Sequence, residues 1–285
     1  MLDPRLLRSF VAIADAGSFT QAAERLNMTQ STISQQLARL EETVGIALID
    51  RIARPVQPTA SGERLLGYAR RILSLQHEAQ SMLADPAGTA SIRIGVPEDI
   101  ATGAMAKVFA GFTSQHREIR LDVVAGLSRD LTRRYRAGEF DIVVVKEASA
   151  SSDHQATFPE PITWFESADA PEAWPDPLPL VTFPPGGLYR DAMFERIERE
   201  RRRWYIAFSG SSLLNVLVAV EAGLGLSLLP IEATAGRRLR PYTPLGQEPA
   251  IVVSLYSWEK SGPIAALVQS MRAVLAERFN TGGKA

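Results

Sequence analysis

The chain has 285 residues, 46% of them hydrophobic and 22% charged, with a formal net charge of −1 and no cysteine. That length suits about two domains, the missing cysteine excludes disulfides, zinc-thiolate sites and a cysteine nucleophile, and the near-neutral balance excludes coating of nucleic acid by charge alone. No apolar run approaches the ~20 residues of a membrane span, and a start carrying Asp3, Pro4, Arg5 and Arg8 does not read as a secretory signal, so a cytoplasmic protein without a membrane partner is expected.

From the N-terminus, Leu6, Leu7, Phe10, Val11, Ile13 and Ala14 recur at helical spacing after Pro4, a residue suited to a first turn, and Ala16 and Gly17 end that helix. A short second helix follows, with Thr20 as its cap, Ala22, Ala23 and Leu26 as its apolar face and Asn27 as its stop. Residues 28–42 then place Thr29 as a cap and Ile33, Leu37 and Leu40 at i, i+4 and i+7 on one face.

The opposite face carries Gln30, Ser31, Thr32, Ser34, Gln35 and Arg39. Amides pair with adenine, hydroxyls bond either partner, and arginine takes guanine or phosphate. An ordinary solvated face has the same composition, so the reading as a recognition helix rests on context. Two short helices joined by a tight turn have helix-turn-helix proportions. Behind them, residues 46–66 hold short apolar runs broken by Arg51, Arg54, Pro55 and Pro58, as in a small β-wing with Arg51 and Arg54 on flanking phosphates. Over residues 1–84 nine arginines face eight acids, a balance of +1, so geometry has to carry DNA binding.

Residues 60–84 continue as a proline-free helix, capped by Ser61, with Leu65, Tyr68, Ile72, Leu75, Ala79 and Met82 spaced alternately by three and four. Such a stripe either packs on its own domain or pairs two chains. Pairing is favoured because a two-fold partner sets two recognition helices on two half-sites. Residues 85–89 read as a hinge.

Beyond the hinge the pattern is α/β. A strand over 91–96, a helix with Met105, Val108, Phe109 and Phe112 on one face, a strand over 119–124, a helix around Leu131 and Tyr135, and a strand over 141–145 argue for a parallel sheet with right-handed crossovers. Residues 148–179 interrupt it as the crossing to a second lobe. That lobe repeats the pattern with strands at 180–183, 204–208 and 225–229, a helix through Phe194 and Ile197, and an apolar helix over 213–222. The strand 251–258 and the helix 264–279 return to the first lobe. Arginines 199 and 201–203, interleaved with Glu195, Glu198 and Glu200, read as a solvated helix end.

In a two-lobed α/β domain, ligands bind where strand C-termini meet helix N-termini. That selects Pro97, Glu98 and Asp99, then Gly126, Leu127 and Ser128, then Ser209, Gly210, Ser211 and Ser212, each of which can equally be a helix cap. His77, His116 and His154 lie far apart, so no metal site and no cofactor is expected.

The run F-x-x-A-A-E-R-L over 19–26, T-Q-S-T-I-S-Q-Q-L-A-R-L-E over 29–41, G-I-A-L-I-D-R over 45–51 and P-T-A-S-G over 58–62 resembles the DNA-binding domain of LysR-type transcriptional regulators. The resemblance implies a winged helix-turn-helix over 1–59, a dimerisation helix and hinge over 60–89, and a periplasmic-binding-protein-like effector domain over 90–285. Its first lobe would span about 90–160 and 259–285, its second about 161–258. It also implies linker helices that pair in homodimers and assemble further into homotetramers. Where the family commonly has a charged residue, this chain has Gln35, and where it commonly has Phe, Ile49. Family members often hold a carboxylate with hydroxyls after the first strand; Glu98 and Asp99 there would repel an anion. The segments 95–99, 178–190 and 222–230 look like a subgroup related to the LrhA and HexA regulators.

The function so implied is a sequence-specific regulator of promoter or operator double-stranded DNA, controlled by an unidentified small-molecule effector. The other reading is a cytoplasmic small-molecule receptor without a DNA role. An enzyme would need a nucleophile with its base, a metal cluster or a phosphate loop, and the sequence offers none.

Overall fold

The computed structural model describes residues 2–84 and 90–281; the expected hinge at 85–89 lies outside them. Two compact units are separated, one running to Ala90 with Arg133–Phe140 grouped with it, the other comprising Ser91–Thr132 and the chain from Asp141 onward.

In the first unit, α1 (Pro4–Ala16) is capped by Asp3, whose carboxylate accepts the Arg5 N–H at 2.8 Å, and stops at Gly17, whose φ of 61° favours glycine. Because the chain is released there, Ser18 caps α2 (Phe19–Arg25) by accepting the Gln21 N–H, and Thr20, expected as the cap, is carried into the helix. α3 (Gln30–Val44) is capped by Thr29, whose hydroxyl accepts the Thr32 N–H at 3.2 Å. Its Ile33, Leu37 and Leu40 are fully buried in one core with Leu7, Phe10 and Ile13 of α1 and Ala22 and Ala23 of α2. The wing is a two-residue ladder, β1 (Ile49–Asp50) antiparallel to β2 (Gln57–Pro58).

α4 (Ala60–Ala84) is capped by Thr59 and not by Ser61. The Thr59 hydroxyl accepts the Gly62 N–H at 3.0 Å and donates to the Ala47 carbonyl at 2.8 Å, so the cap also ties the helix to the segment leading into the wing. Leu66 and Ala69 join the core of this unit, with Leu65, Ile72 and Leu73 partly buried against it.

The second unit has two lobes. The sheet of the first is built from β3 (Ala90–Val96), β4 (Ile119–Ala125), β5 (Ile142–Glu147), β6 (Ala156–Glu160) and, late in the chain, Ile251–Ser257, in the order β4, β3, β5, Ile251–Ser257, β6. β3 is parallel to β5, whereas Ile251–Ser257 is antiparallel to both β5 and β6, so the sheet is mixed and not wholly parallel. β6 was not expected: Pro159 interrupts its pattern, and the strand survives because it lies at the sheet edge, where a missing N–H donor is tolerated. α5 (Gly103–Gln115) buries Met105 and Phe112 in the core of this lobe, and α6 (Ser128–Arg136) follows β4.

The second lobe holds β7 (Ile162–Ser167), β8 (Leu178–Thr182), α7 (Leu188–Arg199), β9 (Trp204–Ser209), α8 (Leu213–Glu221), β10 (Ser227–Pro230) and β11 (Leu239–Pro241). β10 and β11 flank β7 antiparallel, and β8 pairs with β9 in parallel. The core packs Trp164, Leu180, Met193, Ile197, Val216 and Leu228. The late strand is β12 (Ile251–Ser257), and α9 (Gly262–Thr281) follows it with Leu267, Val268, Met271 and Leu275 in the core of the first lobe. The strand read over 251–258 as returning to the first lobe does lie inside that lobe's sheet as β12, so the crossing back precedes it and the second lobe does not extend to residue 258. No helix among the described residues is long and apolar enough to cross a membrane.

Candidate functional site

Burying Ile33, Leu37 and Leu40 turns the polar face of α3 outward, leaving Thr29, Gln30, Ser31, Gln35 and Arg39 exposed and Thr32 and Ser34 half-buried. The Thr29 hydroxyl lies 2.8 Å from those of both Ser31 and Thr32, a hydroxyl cluster at the helix N-terminus, where unpaired N–H groups and the dipole favour phosphate. Thr20 is exposed on α2, and its hydroxyl reaches Gln30 Oε1 at 3.5 Å. Gln36, which sequence reasoning passed over, receives the Ser9 hydroxyl and so joins α3 to α1.

The wing arginines differ from each other. Arg51 Nη2 donates to Glu41 Oε2 at 2.8 Å, so its charge is already paired. Arg54 is exposed, and its Nη1 is ringed by the carbonyls of Arg51, Ile52 and Ala53 at 2.8, 3.3 and 2.9 Å.

The linker seam is divided. Leu65 and Ile72 face their own core, while Tyr68 is 60% and Leu75 42% exposed, and Ala79 is exposed beyond them. The Met82 side chain lies outside the described residues. The helix therefore packs inward at Leu65 and Ile72 and leaves Tyr68, Leu75 and Ala79 exposed at its other positions.

In the second unit a cavity of about 350 Å³ opens between the lobes, a volume suited to a small molecule. Pro97, Glu98, Asp99 and Ser128 line it from the first lobe and Ser211 and Ser212 from the second, as expected. Ser209 does not: it is the last residue of β9, and the chain turns toward the cavity only after it. Sequence reasoning missed the 183–189 segment, which contributes Phe183, Gly187, Leu188 and Tyr189, and it missed Lys146. A lysine directly after the apolar run Ile142–Val145 of β5 was the available signal.

Lys146 organises the cavity floor. Its Nζ donates to Asp99 Oδ2 at 2.6 Å, Glu160 Oε1 at 2.9 Å and the Tyr189 hydroxyl at 2.9 Å, and the Tyr189 hydroxyl donates to Glu160 Oε2 at 3.0 Å. Burial first, then the Glu160 and Asp99 carboxylates, push the Tyr189 hydroxyl well above the usual tyrosine range and keep it protonated for that bond. Arg278 of α9 adds a bond from Nη1 to the Asp99 carbonyl at 2.6 Å. Asp99 thus has Lys146 and Arg278 as cationic partners, and of the two acids only Glu98 is exposed.

Helix N-termini surround the rest of the cavity. α6 begins at Ser128, whose hydroxyl accepts the Lys146 N–H at 2.9 Å, α8 is capped by Ser212, and α7 starts from Gly187 without any side-chain cap.

Residues 4–63 match the family described as bacterial regulatory helix-turn-helix protein, lysR family, and residues 87–280 match the LysR substrate binding domain. The transcriptional regulator DgdR of Burkholderia cepacia is 30% identical over 285 residues, 96% of this chain and 95% of that protein. The regulator PecT of Dickeya dadantii is 31% identical over 81% of this chain and 73% of its own length. The full-length LysG structure from Corynebacterium glutamicum, with its effector Arg bound, shares the fold with a TM-score of 0.59 at 20% identity, covering 97% of this chain and 99% of that one.

Proposed function

The chain belongs to the LysR family of bacterial helix-turn-helix regulators, a DNA-binding transcriptional regulator with an effector-binding domain, and from that premise we propose how its own residues divide the work. The DNA is read by Gln30, Ser31, Ser34, Gln35 and Arg39 in the major groove, with Thr20, Thr29, Thr32 and the wing on flanking phosphates. The observation that carries this is the segregation of α3, whose apolar row is wholly buried while Gln35 and Arg39 stand exposed one helical turn apart. A gel shift with the protein's own upstream region tests it: salt-sensitive, sequence-specific retardation is expected, and its absence sinks the reading. Gln35→Ala is expected to relax preference at one base pair by about 1–3 kcal/mol while leaving others unchanged, as read from binding to a library of operator variants.

The protein acts in the cytoplasm as a homodimer, or a tetramer built from two, through the outer stripe of α4. Tyr68→Lys together with Leu75→Lys is expected to shift the chain toward monomer in sedimentation velocity and to weaken binding to a paired half-site at least tenfold. An unchanged sedimentation coefficient would move the interface elsewhere.

The effector occupies the interlobe cavity, with a hydrogen-bond-accepting or acidic end toward the N-termini of α7 and α8 and an apolar body against Phe183, Leu127 and Leu213. Its occupancy biases the angle between paired DNA-binding domains on an interrupted palindrome. The segments 95–99, 178–190 and 222–230 support placement beside the LrhA and HexA regulators. A thermal-shift screen of size-matched carboxylates, alcohols and amines tests the polarity: stabilisation by amines alone overturns it.

A further inference from the structure

The sequence left a puzzle, a DNA-binding segment with a balance of only +1, and the wing suggests where that economy is used. Glu41, in the last turns of α3, has a side chain only 15% exposed, and both of its carboxylate oxygens are turned to the entry of the wing. Its Oε1 accepts the Leu48 N–H at 2.9 Å and the Ile49 N–H at 3.3 Å, and its Oε2 accepts from Arg51. The guanidinium of Arg51 lies 5.9 Å from the Phe19 ring of α2, so Arg51 touches both helices of the helix-turn-helix. The chain turns around it on the preceding Asp50, whose Oδ1 accepts the Ile52 and Ala53 N–H groups at 2.9 and 3.3 Å. Arg54 follows, fixed by three carbonyls on one nitrogen and without an acidic partner among the described residues.

We propose that Glu41 is the positioning residue of the DNA-binding wing and that Arg51 serves this clip, so that Arg54 alone supplies the wing's phosphate-binding charge. The inference rests on the reading of α3 and the wing as the DNA-facing surface and divides the labour within it. For Arg51 to reach a phosphate it would have to leave Glu41, and the bared carboxylate would then stand beside the DNA. Pairing removes that conflict and withholds one cation from sequence-independent attraction. One carboxylate thereby sets the height of the wing against the recognition helix and keeps non-specific affinity low.

The test is the salt dependence of binding of the full chain to a short mixed-sequence duplex, by fluorescence anisotropy between about 50 and 200 mM salt. A lost phosphate contact lowers the slope of log affinity against log salt by about 0.9. Arg54→Gln is expected to do so, and Arg51→Gln to leave the slope unchanged while weakening binding to the protein's own upstream region. Glu41→Gln keeps an acceptor for the two N–H groups but releases Arg51, and its slope is expected to steepen by about 0.9. A merely structural role for Glu41 cannot steepen it. Equal slope losses for Arg51→Gln and Arg54→Gln overturn the proposal, as does a well-folded Glu41→Gln with the wild-type slope. Should Glu41→Gln fail to fold, the pair of arginine variants decides. A gel shift on the upstream region keeps the two readings apart, because no specific binding by the wild-type chain defeats the DNA-facing surface itself, whereas specific binding with the wrong slopes defeats only the clip.

Discussion

Lys146→Met is expected to destabilise the effector-binding domain by about 3–5 kcal/mol, the penalty for breaking a buried ion pair by removing one partner. The lysine side chain is 5% exposed and Glu160 2%, and both Asp99 and Glu160 bond the same Nζ. Methionine fills most of the volume but leaves two carboxylates converging on one apolar group, with Tyr189 able to serve only Glu160. All four tryptophans, Trp164, Trp174, Trp204 and Trp258, belong to the second unit. Urea unfolding followed by tryptophan fluorescence therefore reports this domain directly. Tyr189→Phe, which removes one hydroxyl and strands no charge, is expected to cost about 1–1.5 kcal/mol. Equal midpoints for Lys146→Met and wild type would mean that the network contributes nothing to the fold.

The same network shows why the cavity was only half legible in the sequence. Loop residues after strands follow a general rule about where ligands sit, and Pro97, Glu98, Asp99, Ser128, Ser211 and Ser212 were found that way. Lys146 and Glu160 are the last or near-last residues of strands, and nothing local says that their side chains meet; strand order brings them together, with Ile251–Ser257 between β5 and β6. Tyr189 comes from the other lobe, in the first turn of α7, where its helical spacing with Met193 and Ile197 reads only as a core position. The DNA-binding unit was more legible because its helices are local: the spacing of Ile33, Leu37 and Leu40 fixes which side chains face outward. Its errors, Thr20 for Ser18 and Ser61 for Thr59, are displacements of a cap by two residues, where several hydroxyls compete and only the backbone direction decides. The Arg51 pairing escaped notice because Glu41 lies ten residues away on another element.

Gly62→Ala is expected to cost the DNA-binding unit about 3 kcal/mol, the upper end of overpacking, and to abolish operator binding while leaving the tryptophan-monitored transition unchanged. The sign runs against helix propensity, since alanine inside a helix is worth about 1 kcal/mol over glycine. Contact reverses it: a Cβ on Gly62 would lie 2.0 Å from the Leu48 carbonyl oxygen and 3.2 Å from Pro58 Cβ, and neither is the loose end of a flexible side chain. The Leu48 carbonyl already accepts the Thr59 N–H at 2.9 Å, the Leu48 N–H is held by Glu41, and the Leu48 side chain is fully buried. Making room for a methyl therefore lifts α4 off the wing and breaks the Thr59 cap and the Glu41 clip together. Thr59→Val, which removes the cap without the clash, grades the effect at about 1 kcal/mol. Amide hydrogen exchange in 30–66 measures both, and wild-type protection with wild-type operator affinity in Gly62→Ala would rule out the close approach as a constraint.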